Sequence, residues 1–397
     1  MLRSGFRLGK IFGISIYIDW SWLFIFLLVT WNLAIGVFPT LHPAWSAALN
    51  WGTAVVAALL FFTSVLAHEL AHSVVAKARG LPVSRITLFL FGGVSNIERE
   101  PTSPSTEFIM AIVGPLTSLV LGIIFLVLGG ISVFTAGQFF SGGPLGVLSS
   151  LGPISTLLLW LGPINIVLAI FNMVPGFPLD GGRVLRSILW AASHNLRLAT
   201  RWASWIGQAV AWLLILAGIS MVFGVQLPLF GTGLIGGLWL AFIGWFLNNA
   251  AVQSYRQVVL EDILEGVPVA SLMRSDIASV PPEMPISDLV YTHIMGSEER
   301  SFPVVDGEGC LVGIVSLGDV RKVPRDEWGT RTVSQIMTPE EKLAVATPRE
   351  DAAAALNDLT GNDVRQMPVV QEGRLVGMLR RVDIMRWLQL HSEFAAR

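Results

Sequence analysis

The chain has 397 residues, 53% of them hydrophobic and 14% charged, with a mean hydropathy of +0.65. That composition is outside soluble-domain usage and defines a membrane protein. A net charge of −2, with no basic patch interleaved with aromatics, argues against a nucleic-acid partner. The single cysteine, Cys310, rules out internal disulfides and a thiolate metal site, and is expected as a small buried hydrophobe in a strand.

Charge is unevenly placed along the chain. Positions 1–250 hold 17 charged residues and 251–397 hold 37, which together make up the 26 basic and 28 acidic residues. This predicts a polytopic membrane domain over 1–250, a linker at 251–266 and a soluble module after it. Arg3, Arg7, Lys10 and Asp19 precede a long apolar run with no small-residue cleavage pattern, so no removable signal peptide is expected. Residues 11–20, with Ile14, Ile16 and Ile18 alternating, predict a strand. Apolar runs long enough to cross a bilayer as helices follow at 20–38, 51–76, 108–130, 156–174, 202–223 and 233–247. The connections after spans one, three and five carry no Lys or Arg. The N-terminus and the other connections carry Arg3, Arg7, Lys10, Lys77, Arg79, Arg85, Arg99, Arg183, Arg186, Arg197 and Arg201. The positive-inside rule then places both termini, and the soluble module, in the cytoplasm.

Span two contains His68, Glu69 and His72, the pattern H-E-x-x-H, within VVAALLFFTSVLAHELAHSVVA. A charge near the bilayer centre costs roughly 3 kcal/mol, so such side chains persist where they bind an ion or line a wet cavity. On a helix the two histidines share a face and can both hold one zinc ion, with Glu69 beside them as candidate general base. Residues 83–98, VSRITLFLFGGVSNIE, predict a hairpin turning at Gly92-Gly93. Catalytic zinc usually takes three protein ligands and an open position. Asp180 is the acid in a special local setting, NMVPGFPLDGG (172–182), where Pro175, Gly176 and Pro178 end the fourth helix. Irregular backbone at membrane depth is tolerated where it is buried in protein or lines a cavity. Its carboxylate can therefore reach a zinc ion from a loop facing span two.

HELAH at 68–72 together with NMVPGFPLDGG at 172–182 resembles the site-2 protease family (peptidase family M50) of intramembrane zinc metalloproteases. GGV at 92–94, Gly114-Pro115 and the six-span layout extend the resemblance over the first 250 residues. It implies one zinc ion per chain held by His68, His72 and Asp180, Glu69 as catalytic base, and Asn172 holding substrate or oxyanion. Asn165, seven residues before Asn172, matches a recurrent polar position of the family or makes an interhelical hydrogen bond. The implied substrates are membrane-anchored regulatory proteins, such as an anti-sigma factor or a membrane-tethered regulator, in the cytoplasmic membrane of a prokaryote. The reaction class is peptide hydrolysis without a covalent intermediate, with zinc acidifying water and Glu69 moving its proton. A transmembrane helix locks its peptide groups in hydrogen bonds, so a substrate must be held unwound. The strands at 11–20 and 83–98 are expected to form a small membrane-associated sheet that either pairs its edge with the substrate or rests on the bilayer without touching it.

Positions 267–388 repeat one pattern about 64 residues apart: Leu272-Met273 and Ile336-Met337, Phe302–Val305 and Met367–Val370, Gly313 and Gly377, Asp319 and Asp383. This resembles a tandem pair of CBS domains, placed at 267–325 and 326–390, each alternating short strands (310–315, 374–379) with amphipathic helices (286–293, 350–358). By that resemblance Ser316 and Asp319 hold the phosphate and ribose of an adenine nucleotide, ATP or AMP. In the second copy Asp383 keeps the carboxylate while Arg380 replaces the hydroxyl. Both acids have the alternative of capping helices. The pair implies a homodimer and a regulatory role. The fold class is thus a six-helix membrane domain with a small sheet, followed by a cytoplasmic α/β CBS pair. The competing functions are a CBS-regulated divalent-metal transporter or channel and a non-catalytic nucleotide-sensing scaffold. Glu69 next to the first histidine and a lone Asp in a Pro-Gly loop favour the protease. His42, His194, His293 and His391 have no partner at ligand spacing, and 298–300 is expected as a solvated loop.

Overall fold

The computed structural model describes residues 5–97, 100–135, 151–227, 231–297, 299–362 and 364–395, except for the side chains of 261, 262 and 392–395. Arg3, Arg99, Glu298 and most of the connection after span three, all used above, lie outside the described residues. The chain divides into Met1–Arg256 and Gln257–Arg397.

The first unit opens with β1 (Gly5–Ile11) and β2 (Ile14–Asp19). The strand predicted at 11–20 forms as β2 and is the second arm of a hairpin: Phe12 and Gly13, both at positive φ, make the turn, and β1 is an additional strand before it. Asp19 then caps the first span by accepting from the Ser21 amide. Among the described residues, six helices are long and apolar enough to cross a membrane. They are α1 (Trp20–Leu41), α2 (Ala47–Ala78), α3 (Pro104–Thr135), α4 (Pro153–Asn172), α6 (Leu196–Val222), and α7, which spans Leu234–Leu264 and crosses with Leu234–Leu260. The short amphipathic α5 (Asp180–Ser193) lies between α4 and α6. Ends differ from expectation by a few residues, and the stretch expected as a linker from 251 is helical through Leu264. Large apolar side chains such as Leu116, Val127, Ile170, Leu213 and Ile235 are exposed, as a lipid-facing surface requires. The helices meet through small residues: at Gly122 of α3 an added Cβ would press on the Gly162 carbonyl of α4. His42 sits between Trp45 and Thr156, 2.8 Å from its hydroxyl, and so joins the loop after α1 to α4.

The hairpin at 83–98 forms as β3 (Val83–Phe89) and β4 (Gly92–Ile97). The sheet order is β1-β2-β3-β4, with β2 and β3 parallel, Ser15–Ile18 pairing with Arg85–Leu88, across the two intervening spans. β3 is therefore interior, and β4 is an edge.

The second unit consists of two similar halves. Each half has a hairpin, β5 (Ser301–Val305) with β6 (Leu311–Ser316), and β8 (Gln366–Gln371) with β9 (Arg374–Arg380), with β7 (Thr338–Pro339) added to the first. The halves exchange their leading segments. Leu264, Val269 and Leu272 join the core of the second half, with Ala346 to Leu388, while Val333, Ile336 and Met337 pack on the first. Met337 lies over Gly313 and Met273 over Gly377, so the sequence repeat is a reciprocal packing device: a Cβ on either glycine would overlap that methionine. Cys310 departs from expectation in being half-buried in a bridge to Arg374, one residue before β6.

Candidate metal centre

α2 puts His68 and His72 one turn apart on a face turned inward, 4% and 9% exposed. Asp180 arrives from the break after α4. That helix ends at Asn172, residues 173–179 turn back on themselves, and the Phe177 amide donates to Ala203 of α6 at 3.2 Å. Gly181 and Gly182 are required by this turn, since a Cβ on either would run into backbone of the 173–177 segment. Asp180 consequently starts α5 with its carboxylate aimed at the histidines.

The Oδ2 of Asp180 is 3.0 Å from the His68 Nε2 and 3.2 Å from the His72 Nε2, and the two nitrogens are 3.2 Å apart. Ligands about 2.05 Å from a tetrahedral zinc are about 3.3 Å from one another, so this donor set fits such an ion. The outer ring nitrogens are already engaged. His72 Nδ1 donates to the Met110 carbonyl at 2.5 Å, and His68 Nδ1 is 2.9 Å from the Ser118 hydroxyl. Because a carbonyl can only accept, the His72 proton is fixed on Nδ1 and the Nε2 lone pair is left for the centre. Gly114 of α3 packs against both Nε2 atoms, where a Cβ would overlap them.

Glu69 is half-buried beside this group. Its Oε2 accepts from the Ser95 hydroxyl of β4 at 2.7 Å, and Ser95 in turn lies 3.0 Å from the Ser73 hydroxyl, while Gly93 lets the strand approach the Glu69 stem. His68, Glu69, Asn172 and Asp180 all line one cavity of about 580 Å³, whose remaining wall is largely apolar: α1, the β3–β4 turn and α7. Asn172 uses one amide proton on the Leu168 carbonyl at 3.0 Å and has a second free to donate. Asn165 is fully buried outside this wall and donates to Leu161 within its own helix, with no partner for its Oδ1 among the described residues.

In the second unit Ser316 and Asp319 form a capping box, and Asp319 also holds Lys322 at 2.9 Å. Asp383 pairs with Arg380 at 2.6 Å, and Arg380 reaches Glu299 at 2.6 Å. A cavity of about 230 Å³ is lined by Arg274, Glu299, Ser301 and Gln366, among others, and adjoins this second acid rather than the first. It is smaller than the roughly 300 Å³ at which ligand pockets begin.

Ser73, Ser95, Met110 and Ser118 were not found from sequence. Arg186, counted above as an orienting surface charge, is buried at 3% and paired with Glu107 and Glu100.

A multi-pass membrane protein with a two-histidine, one-aspartate centre and an adjacent glutamate defines the class of membrane-embedded zinc metalloproteases. Comparison with known proteins agrees. The profile of Peptidase family M50 matches residues 56–217, and CBS domain profiles match 269–326 and 333–390. The chain is 33% identical over 391 residues to Rip3 of Mycobacterium tuberculosis, covering 98% of this chain and 94% of that one. It is likewise 33% identical to sll0528 of Synechocystis, covering 98% and 96%. Both relatives carry provisional zinc metalloprotease names. A solved site-2 protease from Methanocaldococcus jannaschii is 29% identical, covering 63% of this chain and 95% of that one, with a TM-score of 0.38. The chain belongs to the M50 site-2 protease family of zinc metalloproteases, in a form with tandem CBS domains. That membership decides for the protease over the transporter and the scaffold.

Proposed function

We propose that the protein cleaves membrane-anchored regulatory proteins in or near the bilayer, with His68, His72 and Asp180 holding zinc, Glu69 as base and Asn172 as a substrate or oxyanion donor. The observation that carries this reading is that His68, Glu69, Asn172 and Asp180 line one largely apolar cavity, with His72 completing the donor group of His68 and Asp180 behind it. Bound zinc supplies Lewis acidity, polarising the scissile carbonyl and acidifying water. Glu69, steadied through one oxygen by Ser95, is free at the other to take a proton from water and deliver it to the leaving amine. The free N–H of Asn172 is suited to the oxyanion. β4, an edge strand that touches Glu69, is suited to hold an unwound substrate beside the base.

In this reading both termini face the cytoplasm of a prokaryotic cell, residues 1–250 form the protease domain, and the CBS pair at 267–325 and 326–390 mediates dimerisation and senses ATP or AMP. Its matches to CBS profiles, and the acids Asp319 and Asp383 at equivalent places in the two repeats, support the last point. The deciding experiment is zinc analysis and cleavage of single-span proteins by purified wild type and Glu69→Gln, with and without ATP. Glu69→Gln should keep its zinc and lose on the order of 10²–10⁴-fold in rate. Undiminished cleavage would remove Glu69 from its role, and a zinc-free active wild type would remove the metal.

A further inference from the structure

Arg186 of α5 lies six residues beyond Asp180 and is buried. Its Nε donates to Glu107 Oε1 at 2.5 Å, its Nη2 also reaches that oxygen, and Nη2 donates to Glu100 Oε2 at 2.7 Å. The guanidinium is stacked 5.1 Å from the Phe177 ring, in the turn that delivers Asp180. Glu107, on α3, is 1% exposed, and its Oε2 has no partner among the described residues. Burying such a set is no route to stability, because desolvation offsets the attraction and apolar packing of the same volume does as well or better. Fixing register is the best-attested use of such a pair.

The register in question can be followed along α3. Glu107, Met110, Gly114 and Ser118 fall at spacings of three, four and four, so they share one face. The Met110 carbonyl accepts from His72 Nδ1, Gly114 backs both imidazoles and Ser118 meets His68. Glu107 thus extends to α5 the same helix face that orients the histidines. Sliding α5 by one residue would move Asp180 by about 1.5 Å, whereas metal–ligand distances tolerate about 0.2 Å.

We propose that Glu107 and Arg186 are positioning residues, which lock α5 to the metal-backing face of α3 and thereby set the Asp180 carboxylate at its distance from His68 and His72. The inference rests on the reading that these three residues bind zinc. The test uses full-length protein in detergent: wild type, Glu107→Gln, Arg186→Gln, Arg186→Lys and the apolar double variant Glu107→Leu/Arg186→Met. Zinc retention against a graded chelator is measured with helical content, melting temperature and cleavage kinetics. The Gln variants should hold zinc 10–100-fold more weakly at wild-type helical content, and excess zinc should restore kcat with KM unchanged. Arg186→Lys should fall between, keeping the charge without the fork. The double variant should melt at or above the wild type and still bind zinc weakly, a separation that a merely structural role cannot produce. Zinc affinity within twofold of wild type in the Gln variants, or restored together with the melting temperature in the double variant, overturns the proposal. A wild type that binds no zinc sinks the underlying reading and this one with it.

Discussion

Gly114 packs against the two imidazoles and Ser95 holds the Glu69 carboxylate, so each bears on one half of the proposed chemistry. At Gly114 a single methyl would occupy the place of both imidazole nitrogens, and the atoms it meets belong to buried histidine rings that are already held by Met110 and Ser118. Gly114→Ala is expected to reduce zinc affinity more than 100-fold while the helices remain, as metal analysis with circular dichroism would report; full zinc content in that variant would contradict the packing described. Ser95→Ala removes the hydroxyl that orients Glu69. A hydrogen bond to a charged group contributes about 1.5 kcal/mol, so kcat should fall about tenfold, with KM and zinc content unchanged. The histidines were legible because their spacing matches the helix, and Asp180 because Pro and Gly around it forbid a helix. Ser95 has no period to betray a role, Gly114 stood out by resemblance alone and without a contact to explain it, and the Met110 acceptor is a backbone carbonyl. Glu107 and Arg186 did leave a signal, since charges in apolar sequence need partners, but no rule of spacing joins residues 79 positions apart.

At the level of elements, the two strands flanking the first two spans become neighbours: β2 and β3 pair in parallel although two transmembrane helices separate them. Both strands were visible as alternating β-branched residues, but their pairing was not, because register across a long connection depends on how the helices pack. The consequence concerns the substrate edge. Residues 87–89 lie in β3, between two neighbours, so among the described residues β4 and β1 are the edges of this sheet. Successive residues of a strand turn their N–H groups to opposite sides. Proline placed singly at Gly93 and at Val94 therefore removes an inward donor in one case and an outward donor in the other. If β4 holds the substrate, the outward variant should retain its zinc and fold and lose cleavage at least tenfold; equal cleavage by that variant and wild type would leave β4 as a membrane-resting hairpin.

On the scale of the whole molecule, the step in charge separates two kinds of stability. Unit 1 rests on small-residue helix packing in a lipid-facing shell, whereas the CBS unit places carboxylates at structural joints. Burial pushes the Asp383 carboxyl up, but the Arg380 hydrogen bonds and charge, with Arg274 behind them, outweigh it and hold it below its ordinary value. For Asp319 burial is likewise outweighed, by hydrogen bonds from Ser316 and Lys322. A carboxyl lowered in the folded state contributes stability that is fully present above its unfolded value, about 3.9, and is lost as pH falls through the folded value. The CBS unit is therefore expected to melt at constant temperature from pH 8 to 5 and progressively earlier below about pH 4. Lys322 is mostly exposed, so its bond to Asp319 contributes little, and the steeper part of the loss belongs to Asp383, whose side chain is 11% exposed. Asp383→Asn should cost about 1–2 kcal/mol at pH 7 and flatten the acid limb, so that variant and wild type converge as pH falls through the folded value of Asp383. Hydrogen exchange over residues 257–395 of the full-length protein isolates this unit's transition, and a deficit in the variant that persists undiminished at pH 3 would show that Asp383 acts through packing and not through its charge.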